Sequence, residues 1–365
     1  MSKLKSLFGA AADRMQVMID NSKELYAPLW YPQYFDVAPP QQSLTYVSAI
    51  GRSRIEAAAS VVDRDSATPL RSRQGLEKLS GEIPAIREMF ALKESDYRDF
   101  LSLQNLPGID DKTKLNQALD LIWGDVKRVG DAPHKRIDIM VLQALSTGKI
   151  QINVTNNPDG IVTDDIDLLM NTANKKQGAV TWGTAATATP ITDIETVVVD
   201  AKARGISFVK ILMSYNLWLK FKKTKEVLDT LQAYYYGPKP GAGFNPIAIS
   251  TLDKVNEYMT ANKMPVIEIV DESIGVEKDG VITATNYFNE NNATFVPAGK
   301  LGSIKNALAM EKMKPVQHVT YADYKGVLVS KWSQNEPWGE FTKGEWNAFP
   351  ALEAIDSIYI LTCVF

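Results

Sequence analysis

Three aspartates that follow the turn sequence NNPDG could supply oxygen ligands to a divalent cation. Asp164, Asp165 and Asp167 lie close together in the chain, and carboxylates are the ligands that Ca²⁺ and Mg²⁺ prefer. The segment lacks the spacing and the glycine of a calcium loop. A turn followed by a helix N-terminus, where acidic side chains interact favourably with the helix dipole, explains the cluster better. We therefore predict no metal site.

Two further residue types could perform acid–base chemistry. In VIEIVDES, Glu268 and Glu272 would share one face of a strand, and paired carboxylates can exchange protons with a substrate. No other polar residue type converges on them in sequence, which favours a half-exposed strand. The chain has only two histidines, His134 and His318, and we interpret His318 as structural.

Two small-residue segments resemble catalytic or phosphate-binding loops only superficially. GPKPGAGFNP, Gly237 to Pro246, contains a Gly-x-Gly but lacks the Lys-Ser/Thr of a phosphate-binding loop. TWGTAATATP, Thr181 to Pro190, offers hydroxyl groups with no histidine nearby, and we interpret it as an ordered connection between two domains. We predict no catalytic residue, no cofactor-binding residue, no cofactor and no metal, and hence a protein that is not an enzyme.

Composition limits the function further. The 365 residues include 40 basic and 43 acidic side chains, so the formal net charge is −3, whereas dedicated nucleic-acid binders usually carry a strong basic excess. The single cysteine, Cys363, excludes an intrachain disulfide. The N-terminal segment does not have the pattern of a signal peptide, and no apolar run reaches the ~20 residues of a membrane span. We expect a soluble protein from a reducing compartment, without a membrane partner.

The N-terminal quarter contains two segments that a single chain would not bury easily. Five aromatic residues, among them Trp30, lie between Tyr26 and Phe35 in a proline-rich, extended stretch. This stretch either packs on its own domain or reaches a neighbouring subunit. Residues 45–90 have strand-like ends around a middle with charges of both signs, which suits a long hairpin or a solvated loop. Its arginines are Arg52, Arg54, Arg64, Arg71 and Arg73.

The rest of the chain mixes helices and strands, which predicts an α+β fold. Apolar residues at helical spacing predict a long helix over residues 112–147, broken or kinked at Gly130 and Pro133 with Asp131 capping the second half. A basic amphipathic helix is predicted for NLWLKFKKTKEVLDTLQ. Three tryptophans, Trp332, Trp338 and Trp346, punctuate a proline- and glycine-containing stretch near the C-terminus.

Several of these segments, taken in order, resemble the major capsid proteins of tailed bacteriophages, in the major capsid protein E group typified by phage lambda. One is the pattern W-x-x-x-x-x-x-x-P-I-x-D-I, from Trp182 through Pro190, Ile191 and Asp193 to Ile194. Others are the unit DIETVVVDAKARGISFVKILMSYNLWLKF and the segments PVIEIVDES and TFVPAGKLG. The ending KW…PWGEFT…AFPAL…IYIL completes the resemblance.

The resemblance implies an HK97-like capsid fold with an N-terminal arm, an extended E-loop hairpin, a long spine helix, and peripheral and axial domains. The implied boundaries are 1–45 for the arm, 46–90 for the E-loop, 91–190 for the peripheral domain with the spine helix, 191–320 for the axial domain and 321–365 for the return strands. Within the last part, the tryptophans would anchor an irregular crossing segment. We expect Trp332 in the core, and Trp338 and Trp346 at a surface or interface.

The implied function is structural: the chain assembles with itself, as pentamers and hexamers, into an icosahedral shell around double-stranded DNA that it does not bind sequence-specifically. The virion is the implied location, after synthesis in the host cytoplasm, with portal, scaffolding and decoration proteins as implied partners. Two alternatives stay open, an encapsulin-like compartment shell and a soluble α+β enzyme or binding protein. The implied inter-subunit contacts are Arg52, Arg54, Arg64, Arg71, Arg73, Trp30, Trp338 and Trp346.

Overall fold

The computed structural model describes residues 28–50, 77–95, 98, 111–237, 250–336 and 338–365. These residues form the predicted mixture of helices and strands. The helices are α1 (Asp111–Thr147), α2 (Pro190–Ala203), α3 (Tyr215–Phe221), α4 (Lys225–Tyr236), α5 (Leu252–Ala261) and α6 (Met310–Met313). No helix in the described ranges is both long enough and apolar enough to span a bilayer.

Within the described ranges the strands make two larger sheets and three two-stranded ribbons. In chain order they are β1 (Phe35–Val37), β2 (Thr45–Ile50), β3 (Glu77–Glu82), β4 (Ala85–Lys93), β5 (Lys149–Ile150), β6 (Ile166–Asp167), β7 (Lys175–Gln177), β8 (Lys210–Ser214), β9 (Val266–Val270), β10 (Ser273–Lys278), β11 (Val281–Asn286), β12 (Asn292–Val296), β13 (Gly302–Ala307), β14 (Thr320–Tyr324), β15 (Val327–Asn335), β16 (Trp338–Ala351) and β17 (Tyr359–Thr362).

Helix α1 confirms the predicted long helix, but it is not broken. It continues through Gly130 and Pro133, so Asp131 caps no second helix. A proline at 133 cannot donate to the carbonyl of Val129 four residues earlier. That carbonyl faces Gly344 of β16 instead, so closely that a Cβ on Gly344 would lie 2.0 Å from its oxygen. Packing against the sheet therefore holds the helix at the position where the local sequence predicts a break.

The larger sheet is built around β16, the strand that the sequence had suggested was an irregular crossing segment. Strand β4 lines one edge of β16, while β15 and then β13 line the other. Asn347 is the point where these partners change, because it pairs with Ala85 on one side and with Ala307 on the other. β14 pairs with β15, β1 runs parallel to β13, and α1 packs on the sheet. The prediction of an irregular crossing segment in this region was therefore wrong.

The second sheet has the order β7-β17-β12-β8-β9, with α2, α3, α4 and α5 contributing to its core. The predicted basic helix is two helices, because the chain turns between α3 and α4 at Thr224. This threonine is buried, and its hydroxyl donates to the carbonyl of Phe221 at 2.8 Å. Helix α2 ends at Ala203 and is followed by Gly205 at φ 72°.

Two ribbons lie outside these sheets and matter below. β2 pairs with β3 in antiparallel register, from Thr45 opposite Glu82 to Ile50 opposite Glu77. This pairing confirms that the segment beginning near residue 45 forms the base of a hairpin. β10 and β11 form a second hairpin, whose Asp-Gly turn places Asp279 and Gly280 at positive φ, which is typical of two-residue hairpin turns.

Candidate functional site

The acidic cluster contains no metal-binding arrangement. Asp165 accepts a hydrogen bond from the side chain of Gln151 at 3.0 Å, and Asp167 accepts one from the backbone N–H of Leu169 at 2.9 Å. Asp167 ends strand β6, so the helix N-terminus expected here was wrong. Among the described residues, no group of three or more acidic, histidine or cysteine side chains is placed to hold a metal ion.

The two glutamates of VIEIVDES do not act as a pair on one strand. Strand β9 ends at Val270, so Glu272 lies beyond it. Glu268 instead forms an ion pair with Lys210 and accepts a hydrogen bond of 3.4 Å from the hydroxyl of Tyr34. These partners fix Glu268 between the second sheet and the segment before β1.

Histidine 134 is a core residue rather than a base. Its side chain is buried in α1, with Nδ1 3.0 Å from the hydroxyl of Tyr31 and its ring 4.6 Å from that of Trp346. Burial, together with the nearby charge of Lys325, lowers the pKa of His134 to about 3. The imidazole is therefore neutral at physiological pH. His318, by contrast, lies in an exposed turn at φ 66°.

The segment from residue 28 is docked on its own subunit. The carboxylate of Asp138 accepts hydrogen bonds from the backbone N–H groups of Trp30 and Tyr31, at 3.2 and 2.8 Å. Trp30 is only 5% exposed, and its ring lies 5.1 Å from that of Tyr34. The prediction that Trp30 contacts another subunit is therefore corrected, because its ring is already covered by its own chain.

The tryptophan that opens the capsid-like pattern has a clear structural partner within it. The indole N–H of Trp182 donates to Asp193 at 2.9 Å, and the other oxygen of this carboxylate accepts the backbone N–H of Ala179 at 3.0 Å. The backbone N–H of Trp182 donates to the carbonyl of Cys363. The pattern thus joins the loop before α2 to the last strand, and its spacing serves this connection.

The three C-terminal tryptophans differ in burial. Trp346 is 1% exposed, and its indole N–H donates to Asn306 at 3.0 Å, so the surface or interface position expected for it was wrong. Trp332 is half-buried and stacks on Phe341 of the neighbouring strand, 5.5 Å away. Trp338 is 39% exposed at the end of the β15–β16 hairpin. Of the tryptophans predicted to contact a neighbour, only Trp338 is partly exposed rather than buried.

The five arginines of the predicted E-loop lie outside the described residues: Arg52, Arg54, Arg64, Arg71 and Arg73. The base of their hairpin is described and is attached to the larger sheet. Tyr46 stacks on Phe349 at 5.3 Å, and Ser48 donates to Glu353 at 2.8 Å. On the opposite face of β2, Val47 is 66% exposed.

Sequence reasoning missed Ser48, Asp138 and Glu353 as the residues that hold the hairpin and the arm. Ser48 and Glu353 are 305 positions apart, and Tyr31 and Asp138 are 107 apart. No local sequence pattern predicts a contact between residues so far apart in the chain. The one available signal was the alternation of Tyr46, Val47 and Ser48, which predicts one covered and one exposed face.

Two solved structures resemble this fold along nearly its whole length. One is a prophage protein of Escherichia coli CFT073 assigned to the capsid, with a TM-score of 0.59, 14% identity, and coverage of 97% of this chain and 99% of the other. The second is a phage-related protein of Bordetella bronchiseptica RB50, with a TM-score of 0.53, 12% identity and 97% coverage of both chains. At such identities the likeness shows the fold alone.

A comparison with curated protein sequences gave no match. The family comparison is specific: the model of phage major capsid protein E matches residues 14–363, nearly the entire chain. This match decides against both alternatives, an encapsulin-like compartment shell and a soluble α+β enzyme or binding protein. It agrees with the HK97-like α+β fold and its spine helix α1. The chain belongs to the phage major capsid protein E family, and it is a non-catalytic structural protein of the icosahedral head shell of the virion.

Proposed function

We propose that the hairpin begun by β2 and β3 is the E-loop of this capsid protein and that its charged middle contacts a neighbouring subunit. The observation that carries the proposal is the attachment of the hairpin base. One face of β2 is covered by the larger sheet of the same subunit, while Val47, on the other face, is 66% exposed. A two-stranded ribbon is marginal by itself. A neighbouring subunit would supply the missing cover.

The arginines at positions 52, 54, 64, 71 and 73 are the proposed contacts within this hairpin, and Trp338 is the proposed contact outside it. Individual exposed ion pairs contribute only ~0–1 kcal/mol. Repeated in every subunit of a closed shell, they select partner and register more than they add affinity. Pentamers and hexamers of this chain are the proposed units of the shell.

The remaining proposals concern the contents and the partners of the shell. A formal net charge of −3 suits a wall that encloses double-stranded DNA without condensing it or reading its sequence. Portal, scaffolding and decoration proteins are the proposed further partners. The domain boundaries 1–45, 46–90, 91–190, 191–320 and 321–365 remain the proposed division of the subunit.

The test is assembly of the double variant Arg71→Glu/Arg73→Glu, followed by electron microscopy. Charge reversal should prevent closed shells while leaving the far-ultraviolet circular dichroism of the unassembled subunit unchanged. Arg71→Lys/Arg73→Lys is the matched control, because it keeps both charges and should still assemble. Closed shells of normal diameter from the reversed variant would contradict the E-loop assignment.

A further inference from the structure

The carboxylate of Glu353 gathers donors from two separate parts of the chain. One of its oxygens, Oε1, accepts hydrogen bonds from Ser48 at 2.8 Å, from Ser303 at 2.9 Å and from the ammonium of Lys305 at 2.8 Å. Ser303 and Lys305 belong to β13, and they fix the carboxylate on the larger sheet. Ser48 is the only one of these three donors that belongs to the hairpin.

The protonation state of Glu353 suits this role. Burial alone would raise the pKa of the carboxyl, but Lys305 and the two hydroxyls outweigh it and lower the pKa below its ordinary value. The group is therefore ionised at neutral pH. Hydrogen bonds to an ionised acceptor are roughly twice as strong as neutral ones.

Two contacts in series define where the hairpin leaves the sheet. Tyr46 is 5% exposed, stacks on Phe349, and its ring fits over Gly81 of β3, where a Cβ would lie 3.1 Å away. Ser48, 4% exposed, is the next residue on the same face of β2 and reaches Glu353. A single stacked ring lets a ribbon pivot, whereas a second, directional contact two residues further along removes that freedom.

The start and the end of the hairpin are fixed independently of these two contacts. Before β2, Gln41 forms a bridge to Ala307 at the end of β13. After β3, the backbone N–H of Ile83 donates to the carbonyl of Leu44 at 2.7 Å, and Ala85 pairs with Asn347. Loss of the Ser48 contact would therefore change the direction of the ribbon beyond Tyr46 without detaching its base.

We propose that Glu353 is a positioning residue for assembly: by holding Ser48 it sets the direction in which the hairpin leaves its subunit. The proposal rests on the proposed function of the hairpin as an E-loop that contacts a neighbouring subunit. All subunits of a shell must present the hairpin in compatible directions. A small spread in the direction of the hairpin in each subunit therefore affects every repeated contact of the particle.

The structure offers a closely matched pair of variants to test this role. Ser48→Ala and Ser303→Ala each remove one hydroxyl donor from the same carboxylate oxygen, and both leave the ion pair with Lys305 in place. Only Ser48→Ala frees the hairpin. It should lower the equilibrium ratio of held to released hairpin about tenfold, the factor expected for one lost hydrogen bond to a charged group.

The experiment compares particle yield and diameter by electron microscopy, with thermal unfolding of the unassembled subunits as the control for folding. Ser48→Ala should lower the yield of closed shells by more than tenfold and broaden their diameters, whereas Ser303→Ala should assemble like the original protein. Ser48→Thr, which keeps the hydroxyl, should restore assembly. A purely structural role would make the two alanine variants alike.

The outcomes separate the two proposals. Normal shells from Ser48→Ala, with failed assembly of Arg71→Glu/Arg73→Glu, would overturn the positioning role and leave the E-loop contact intact. Equal loss of assembly in Ser48→Ala and Ser303→Ala would also overturn the positioning role. Normal shells from both Ser48→Ala and the arginine variant would overturn both proposals.

Discussion

The Oδ1 atom of Asp138 accepts the backbone N–H of Tyr31 at 2.8 Å, and so connects the spine helix to a segment 107 positions earlier. The same oxygen accepts the N–H of Trp30 at 3.2 Å. Lys135 lies 3.7 Å from the other carboxylate oxygen, and Glu272 adds a more distant negative charge. Burial outweighs the hydrogen bonds and raises the pKa of Asp138 to about 6.

The first prediction concerns the pH dependence that Asp138 produces. Because its folded pKa, about 6, lies above the ordinary 3.8, the folded state binds this proton more tightly than the unfolded state. The resulting stabilisation is present below pH ~4 and is lost as the pH rises through ~6. Asp138→Asn keeps an acceptor oxygen but cannot ionise. Relative to this variant, the original protein should lose up to about 3 kcal/mol of unfolding free energy between pH 4 and pH 7.

Urea unfolding of unassembled subunits at several pH values between 4 and 7 measures this difference. The original protein provides the reference at each pH. A difference in unfolding free energy that stays constant across this range would show that burial does not raise the pKa of Asp138.

The second prediction has the opposite sign and concerns His134. Its folded pKa, about 3, lies below the ordinary 6.5, so the unfolded state binds this proton more tightly. The stability contributed by the neutral imidazole is complete above pH ~6.5 and is lost as the pH falls toward ~3. In His134→Gln this loss should be absent. The difference in unfolding free energy by which the original protein exceeds this variant should therefore shrink on acidification. Chemical unfolding at pH 7 and pH 4.5 would show it, and a constant advantage would contradict the prediction.

The third prediction uses two glycines with opposite surroundings. A Cβ on Gly344 would lie 2.0 Å from the carbonyl oxygen of Val129, whereas one on Gly124 in α1 would meet no described atom within 4 Å apart from its own helix backbone. Gly344→Ala should force β16 away from α1 and destabilise the subunit by at least ~1–3 kcal/mol. Gly124→Ala should stabilise the helix by ~0.5–1 kcal/mol. Thermal unfolding of both variants tests the pair, and similar effects would refute the close packing at Gly344.

The fourth prediction concerns the contact between Trp182 and Asp193. Asp193→Asn would leave one acceptor oxygen for two N–H donors, those of the Trp182 indole and the Ala179 backbone, so an amide N–H₂ would face one of them, at a cost of ~1–3 kcal/mol. In a Trp182→Phe background the indole donor is absent, so the same substitution should cost less. A double-mutant cycle by urea unfolding measures this coupling. Additive effects of the two substitutions would mean that the 2.9 Å hydrogen bond contributes nothing.

Local sequence patterns predicted the elements that depend on local chemistry. The helical spacing of Ile137, Val141 and Leu145 indicated α1, and these residues are fully buried. The turn at Asp279 and Gly280 was likewise readable, because only a few residue types favour positive φ. The order of the motifs, rather than any one of them, indicated the family.

The strand β16 could not be predicted in the same way. Gly339, Gly344 and Pro350 weaken its intrinsic strand preference, and the reasons for the first two lie elsewhere in the chain. A Cβ on Gly339 would lie 3.3 Å from the carbonyl of Leu92, and one on Gly344 would meet Val129. The burial of Trp346 follows from the same packing. Such requirements appear only when distant segments have been brought together.

The position of β16 has a consequence for how the protein is made. Its partners come from three distant parts of the chain, β4, β13 and β15, and β16 follows all three of them in the sequence. Contacts of such large sequence separation form late in folding. A nascent chain that still lacks β16 cannot form the sheet surface on which Tyr46 and Ser48 rest. Translation itself therefore delays the orientation of the hairpin until Phe349 and Glu353 have emerged from the ribosome.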